Sequence, residues 1–247
     1  MPDTTWSPPR PDQPVYVVGD VHGCSGKLHD LLRMIDADVA AEGYTRPHLV
    51  FVGDYIDRGP NSAQVLSFVH DLSLDYRDHV TCLIGNHEQM MLDFLDNPMR
   101  AQGWLRHGGL QTLQSFGVDA PATPERPSGA DLVDAASDLR AALGPACLDW
   151  LYSLPAAWSS GNLWVVHAGA DPDVPMTAQN KTALIWGTDR FHTRDRVDAQ
   201  WVVAGHAPVP EPVIGHGRIL IDTGAVYGGA LTAIRVSPEG ASQFLAT

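Results

Sequence analysis

Cysteine is scarce in this chain: Cys24, Cys82 and Cys147 are the three among 247 residues, with no paired spacing. So low and odd a count excludes a disulfide framework and points to a reducing compartment, the cytoplasm by default. Cationic side chains are few as well, 16 Lys and Arg against 29 Asp and Glu, a net charge of -13. Nucleic-acid surfaces need clustered Lys and Arg, so nucleic-acid binding is not expected. An anionic substrate would have to be drawn by a local positive site, which a pair of divalent cations could supply. No run approaches the ~20 apolar residues that cross a bilayer, so no membrane contact is expected. The stretch 1–14 is proline-rich and polar, lacks an apolar signal core, and reads as a short arm. With 44% hydrophobic and 18% charged residues, the rest suits one globular domain over 15–247. Oligomeric state is not legible.

Strand and helix signals alternate in the first third. Val15-Tyr16-Val17-Val18, Leu49-Val50-Phe51-Val52 and Val80-Thr81-Cys82-Leu83-Ile84 are short apolar runs rich in β-branched residues, as buried strands are. Between them, Leu28, Leu31, Leu32 and Ile35, then Val65, Leu66, Val69 and Leu72, recur at helical spacing. A third helix is expected from Gln89 to Leu95. This βαβαβ reading predicts an α/β fold with parallel strands and helical crossovers.

From Pro98 to Pro155 no strong strand is visible, and the region reads as a helical insertion at about 98–155. Pro121 to Gly129 has the composition of a loop. Ser128 and Asp131 fit a capping box. Leu132, Ala136, Leu139 and Leu143 mark one helix, and Leu148, Leu151 and Tyr152 a shorter one. The last third is strand-rich, with strands expected at Leu163–Val166, Trp201–Ala204, Arg218–Ile221 and Leu231–Val236.

Each of the first three strands runs into a polar cluster: Gly19-Asp20-Val21-His22-Gly23, Gly53-Asp54-Tyr55-Ile56-Asp57-Arg58-Gly59 and Gly85-Asn86-His87-Glu88. Two later strands end in His167-Ala168-Gly169 and Gly205-His206-Ala207-Pro208. Ligands of an open α/β sheet bind at the carboxyl ends of its strands, so the five clusters should converge. A lone Asp-x-His after a strand is usually a turn with a capping side chain. Five in order are poorly explained as independent turns. Asp, His and Asn together offer oxygen and nitrogen donors without a thiolate, which suits manganese, iron or zinc in a catalytic site better than a structural zinc cage. Two such ions roughly 3.5–4 Å apart can share a bridging water and present it in line to phosphorus.

The pattern Gly-Asp-x-His-Gly, Gly-Asp-x-x-Asp-Arg-Gly, Gly-Asn-His-Glu, His-Ala-Gly and Gly-His-x-Pro resembles the metallophosphoesterase superfamily. Within it, the chain is similar to the bacterial phosphoprotein-phosphatase branch that includes bacteriophage lambda phosphatase and the symmetrical dinucleoside tetraphosphatases. Trp104-Leu105-Arg106-His107-Gly108-Gly109 and Ile221-Asp222-Thr223-Gly224-Ala225 share in the likeness. It implies a calcineurin-like fold, a central β-sandwich flanked by helices, and a serine/threonine-type phosphomonoesterase using two divalent ions, manganese first and iron or zinc as alternatives. It further implies that Asp20 and His22 bind the first ion, Asp54 bridges, and Asn86, His167 and His206 complete the second. His87 falls where the family places the general acid, with Asp57 bonding the far side of its ring and Arg58 holding phosphoryl oxygens. Expected substrates are phosphorylated proteins or small phosphoesters.

Related enzymes carry a second phosphate-clamp arginine where this chain has Thr188, in Trp186-Gly187-Thr188-Asp189-Arg190-Phe191. Arg190 or Arg194 is the expected substitute, and Tyr227 is either a cleft-lining or a core residue. Hydrolysis of dinucleoside polyphosphates or of phosphodiesters is the alternative activity. A non-catalytic binding module is disfavoured, because inactive relatives would lose ligands and all are present here. Asp222-Thr223-Gly224 is rejected as an aspartic-protease half-site, since no second Asp-Thr-Gly exists. No general base is paired with Cys24, so it is not read as a nucleophile.

Overall fold

The computed structural model describes residues 6–100, 102–119 and 128–247. Strands β1 (Val15–Val18), β2 (His48–Phe51) and β3 (Val80–Cys82) pair in parallel, joined by helices α1 (Ser25–Glu42) and α2 (Ser62–Asp75). A second set, β4 (Ala157–Ser160), β5 (Leu163–Val166), β6 (Trp201–Ala204), β7 (Val213–Gly215) and β8 (Arg218–Leu220), forms another sheet in the order β4-β5-β6-β8-β7. The chain then returns to the first sheet with β9 (Thr232–Val236) and β10 (Ser242–Ala246), giving the order β10-β9-β1-β2-β3.

The alternation of side chains along each strand builds the layers. Val15, Val17, Val50 and Val52 meet Val165, Val203, Ile219 and Ile221 between the sheets, while Tyr16, Val18 and Phe51 face the helices. Buried on both faces, β1 and β6 read as continuous apolar runs. The result is a sandwich of two mixed sheets flanked by helices, as the family resemblance implied. On the outer face of the second sheet lie Leu184 of α7 (Lys181–Trp186) and Phe191 of α8 (Asp189–Thr193).

Some sequence expectations need correction. Helix α3 spans Asn86–Asp96, not Gln89 to Leu95, because Glu88 turns back to accept the Gly85 N–H at 3.0 Å and caps the helix three residues earlier. The two helices expected between Leu132 and Tyr152 are present: they follow one another in one run, α6 (Gly129–Ser153), which is capped at Ser128 by the Asp131 box and divided by a non-helical Gly144 (φ 72°) before Pro145. The run's buried face, Leu132, Leu139, Leu143 and Leu151 among it, packs into the same core as α1 and α2. Strands β4, β7 and β10 escaped sequence reading. All three are edge strands with half-exposed residues, so they lack the apolar run that betrays a central strand. Most of the expected Pro121 to Gly129 loop lies outside the described residues. The amino-terminal stretch follows the second sheet: Trp6 packs edge-on against Trp201 at 5.8 Å, and Trp201 Nε1 donates to the Ser7 carbonyl at 2.6 Å. Among the described residues, no helix is long and apolar enough to cross a membrane.

Candidate metal centre

The five polar clusters meet at the carboxyl ends of β1, β2, β3, β5 and β6. Asp54, past the end of β2, stands at the middle. Its Oδ2 lies 3.4 Å from His22 Nε2 and 3.9 Å from His87 Nε2, and its Oδ1 lies 3.4 Å from His167 Nε2. Asn86 Oδ1 is 2.8 Å from His167 Nε2 and 2.9 Å from His206 Nδ1. Asp20 flanks this group, its Oδ2 accepting the His206 N–H at 2.9 Å. Asp20, His22, Asp54, Asn86, His87 and His167 are buried and His206 half-buried.

Such convergence requires unusual backbone. Seven non-glycine residues among those described have positive φ, and five sit here: His22 (43°), Asp54 (54°), Asp57 (73°), Arg58 (68°) and His206 (67°). Each costs of order 1–3 kcal/mol and persists only where its surroundings over-determine it. Glu88 is one such determinant. Its buried carboxylate accepts the N–H groups of Asp54 (2.8 Å), Tyr55 (2.8 Å), Ile56 (3.3 Å) and Gly85 (3.0 Å), binding the β2 loop to the start of α3. Two glycines clear the space. A Cβ on Gly85 would lie 2.1 Å from Asp54 Oδ1, and one on Gly205 would lie 1.9 Å from Asp20 Oδ1.

The donor set fits cations. His22 Nδ1–H donates to the Ile56 carbonyl (2.7 Å) and His167 Nδ1–H to the Val52 carbonyl (3.1 Å), so each ring turns an Nε2 lone pair toward Asp54. His167 Nε2 thereby faces two acceptors, Asn86 Oδ1 and Asp54 Oδ1. Asp20 Oδ1 is buried without a partner. Lone pairs gather this way where a positive charge sits among them. Burial raises Asp54 well above the usual carboxylate range, and the neighbouring Asp20 and Glu88 charges add to it. Asp20 is raised likewise, by burial and then by Asp222. Burial above all holds His22 and His167 well below the usual imidazole value, with the neighbouring imidazoles and, for His22, Arg58 adding to it, leaving them neutral, as ligands must be.

Beside the cluster, His87 Nδ1 and Asp57 Oδ2 are 2.6 Å apart. Burial lowers His87 to about 3 and raises Asp57 to about 7, so the apolar surroundings disfavour the charged form of each. At their 2.6 Å separation one proton bridges the imidazole and the carboxyl group. Arg58 donates from a guanidinium nitrogen to His22 Nε2 at 2.7 Å, and its Cζ lies 5.5 Å from the Tyr227 ring centroid. Tyr227 is 65% exposed, which settles it as a rim residue and not a core one. Lys27 donates to the carbonyls of Ala225 and Gly229 and pins that rim turn to α1. Between Arg58, Arg106, His107, Gln111 and Tyr227 opens a cleft of about 660 Å³. The structure places Arg190 elsewhere: it shares Asp173 Oδ2 with Arg194, at 2.8 and 2.9 Å, and both are exposed.

Glu88, Asp222 and Lys27 were not given roles from the sequence. Glu88 and Asp222 lie inside the quoted motifs, and their charge beside metal-ligand types was the available signal. Nothing local marks Lys27.

The fold and this cluster define a metal-dependent phosphoester hydrolase. The chain belongs to the calcineurin-like phosphoesterase family, whose profile matches residues 13–229. It is 30% identical over 241 residues to an asymmetrical bis(5'-nucleosyl)-tetraphosphatase of Geobacillus sp., covering 90% of this chain and 89% of that protein. It is likewise 30% identical over 234 residues to serine/threonine-protein phosphatase 1 of Salmonella typhimurium, covering 90% of this chain and 91% of that protein. The fold also superposes on a cold-active protein-tyrosine phosphatase of Shewanella sp., with TM-score 0.57 and 20% identity over 99% of this chain and 86% of that one. The dinucleoside relative is named asymmetrical, where the resemblance had pointed to symmetrical enzymes.

Proposed function

We propose that the chain hydrolyses phosphomonoesters, on phosphorylated proteins or small molecules, at a dinuclear metal centre. The observation that carries this reading is the convergence of carboxylate, amide and imidazole lone pairs on both sides of Asp54. Asp20 and His22 would hold one ion and Asn86, His167 and His206 the other, with Asp54 shared. Manganese, iron and zinc all suit these donors, and manganese is our choice. When bound, the ions neutralise phosphoryl charge and make water nucleophilic near neutral pH.

The remaining work falls to side chains. Arg58 reaches the cluster with a planar fork of donors that suits phosphoryl oxygens. As the oxygen of water bonds to phosphorus and sheds one proton to solvent, the bond to the leaving oxygen breaks and His87 gives the proton on Nε2 to that oxygen, to be reprotonated from solvent. Asp57 holds Nδ1–H and keeps the ring in place. Arg190 assists only by leaving Asp173. A cytoplasmic location agrees with three scattered, unpaired cysteines.

A second reading, hydrolysis of dinucleoside polyphosphates, is favoured by the exposed Tyr227 ring at the cleft mouth, where a base could stack. One panel separates the two: metal-reconstituted protein assayed on p-nitrophenyl phosphate, a phosphopeptide, a phosphodiester and diadenosine tetraphosphate. Preference for the first two supports monoester hydrolysis, and preference for the last the second reading. Turnover of none refutes both. His87→Asn should keep its metal and lose about 10²–10⁴ in turnover. Loss of metal instead would make His87 a ligand, a role its 3.9 Å approach to Asp54 permits.

A further inference from the structure

Trp104 and Thr112 lie outside the chemistry-bearing clusters, yet both direct their polar hydrogens at Asp57. Trp104 Nε1–H donates to Oδ2 at 2.9 Å, and Thr112 Oγ1–H donates to Oδ1 at 2.6 Å. Thr112 Oγ1 also accepts the Asp57 N–H at 3.0 Å. The remaining place on Oδ2 belongs to His87. Asp57, His87, Trp104 and Thr112 are all at most 2% exposed, so water does not compete for these bonds.

The local chain is built for this arrangement. Helix α4 (Gln102–Trp104) runs through a π-helical turn, Leu105–Gly109, into α5 (Leu110–Ser115). Along a regular α-helix, eight residues would leave Thr112 turned about 80° from Trp104. The wide turn, with Gly108 at φ 115°, redirects the chain so that both side chains meet one carboxylate. A Cβ on Gly108 would lie 2.4 Å from the Arg58 nitrogen and 2.9 Å from Asp57 Cβ, so glycine lets the turn press this closely on the Asp57-Arg58 segment.

We propose that Trp104 and Thr112 are positioning residues for the leaving-group acid. By fixing both oxygens of Asp57 they hold the Nδ1–H of His87, and so aim its Nε2 at the leaving oxygen. This rests on the acid role proposed above for His87. The test uses a series of aryl phosphates, from phenyl to p-nitrophenyl, whose leaving groups need progressively less protonation. Thr112→Val and Trp104→Phe should each lower kcat on phenyl phosphate by roughly 10–100-fold, the range for residues that orient a catalytic neighbour, with KM and metal content unchanged. The loss on p-nitrophenyl phosphate should be much smaller, Thr112→Ser should restore activity, and Thr112→Val should cost nothing further in a His87→Asn background. Should Thr112→Val fail to fold, Trp104→Phe carries the same test, since a phenyl ring keeps the packing against Phe94.

His87→Asn alone serves as the reference. If it leaves the leaving-group dependence unchanged, the acid reading falls and takes this inference with it. If His87→Asn steepens the dependence while Thr112→Val and Trp104→Phe slow every substrate equally, the two residues are structural only and the inference alone is overturned.

Discussion

Gly205→Ala isolates one contact. The added Cβ would lie 1.9 Å from Asp20 Oδ1, well inside the 3.4 Å at which ordinary contact begins, and 3.0 Å from Val52 Cγ2. Gly205 does not have positive φ, so alanine brings no backbone strain of that kind and the whole effect is collision. Relief requires moving the Asp20 carboxylate by about 1.5 Å, which breaks its 2.9 Å bond from the His206 N–H. A charge-assisted bond is worth about 1.5–3 kcal/mol. Overpacking adds about 1–3 kcal/mol. At roughly 2–4 °C per kcal/mol for a chain of this size, the melting temperature should fall by about 5–25 °C. The same displacement moves a proposed ligand, so metal retained at limiting manganese should drop as well. Thermal melts of metal-free protein and elemental analysis after equilibration read the two effects separately. Gly26→Ala is the control, because a Cβ there meets nothing within 4 Å; it should leave metal content alone and gain up to about 1 kcal/mol from helix propensity. If Gly205→Ala melts within about 2 °C of wild type and binds metal equally well, the Asp20 carboxylate does not stand where this reasoning needs it.

Burial pushes Asp198 up, but the Arg196 hydrogen bond and charge, with N–H bonds from Gln200 and Met176, outweigh it and leave the group lowered. Its stabilisation is therefore present at neutral pH and lost as pH falls below the usual carboxylate range through the lowered value. Asp198→Asn should cost about 1.5–3 kcal/mol at pH 7 and nothing at the acid end, as urea melts at the two pH values would show. Arg190→Ala should leave KM unchanged, because Arg190 is engaged with Asp173; a sharp rise would mean that it swings to phosphate. Thr188→Arg should lower KM for a monoester more than for a diester, since a second guanidinium gains most on a dianion.

Sequence revealed the centre of the fold better than its margins. β1, β5 and β6 are legible to the residue because central strands bury both faces and leave unbroken apolar runs. Edge strands such as Val213–Gly215 expose Val213 and Ile214 and leave no such trace. The metal-ligand types were visible as five clusters after strands, and the structure brings all five together. The supports were not visible. Trp104 and Thr112 reach Asp57 across 47 and 55 residues, and no local pattern announces a bond of that length. Arg190 was a reasonable substitute for the missing clamp by sequence distance. Asp173, seventeen residues earlier, captures it through a contact that only the fold creates.

The supports also explain how strained loops can carry buried charge. A left-handed Asp54 with a desolvated carboxylate is costly in backbone and in electrostatics alike. Either cost alone could be relieved by a small shift of the β2 loop. That shift is blocked from two sides: Glu88 holds three successive N–H groups of the loop, Asp54 to Ile56, and Ser62 and Thr112 hold the next, that of Asp57. Four consecutive amides are thus fixed by side chains from α2, α3 and α5, each anchored in the apolar core through Val65, Met91 and Leu113. Relaxing Asp54 would therefore mean breaking buried bonds on several helices at once. Rigidity of this kind keeps the lone pairs converged, so the carboxylates' mutual repulsion is relieved by a bound proton or cation and not by movement of the loop.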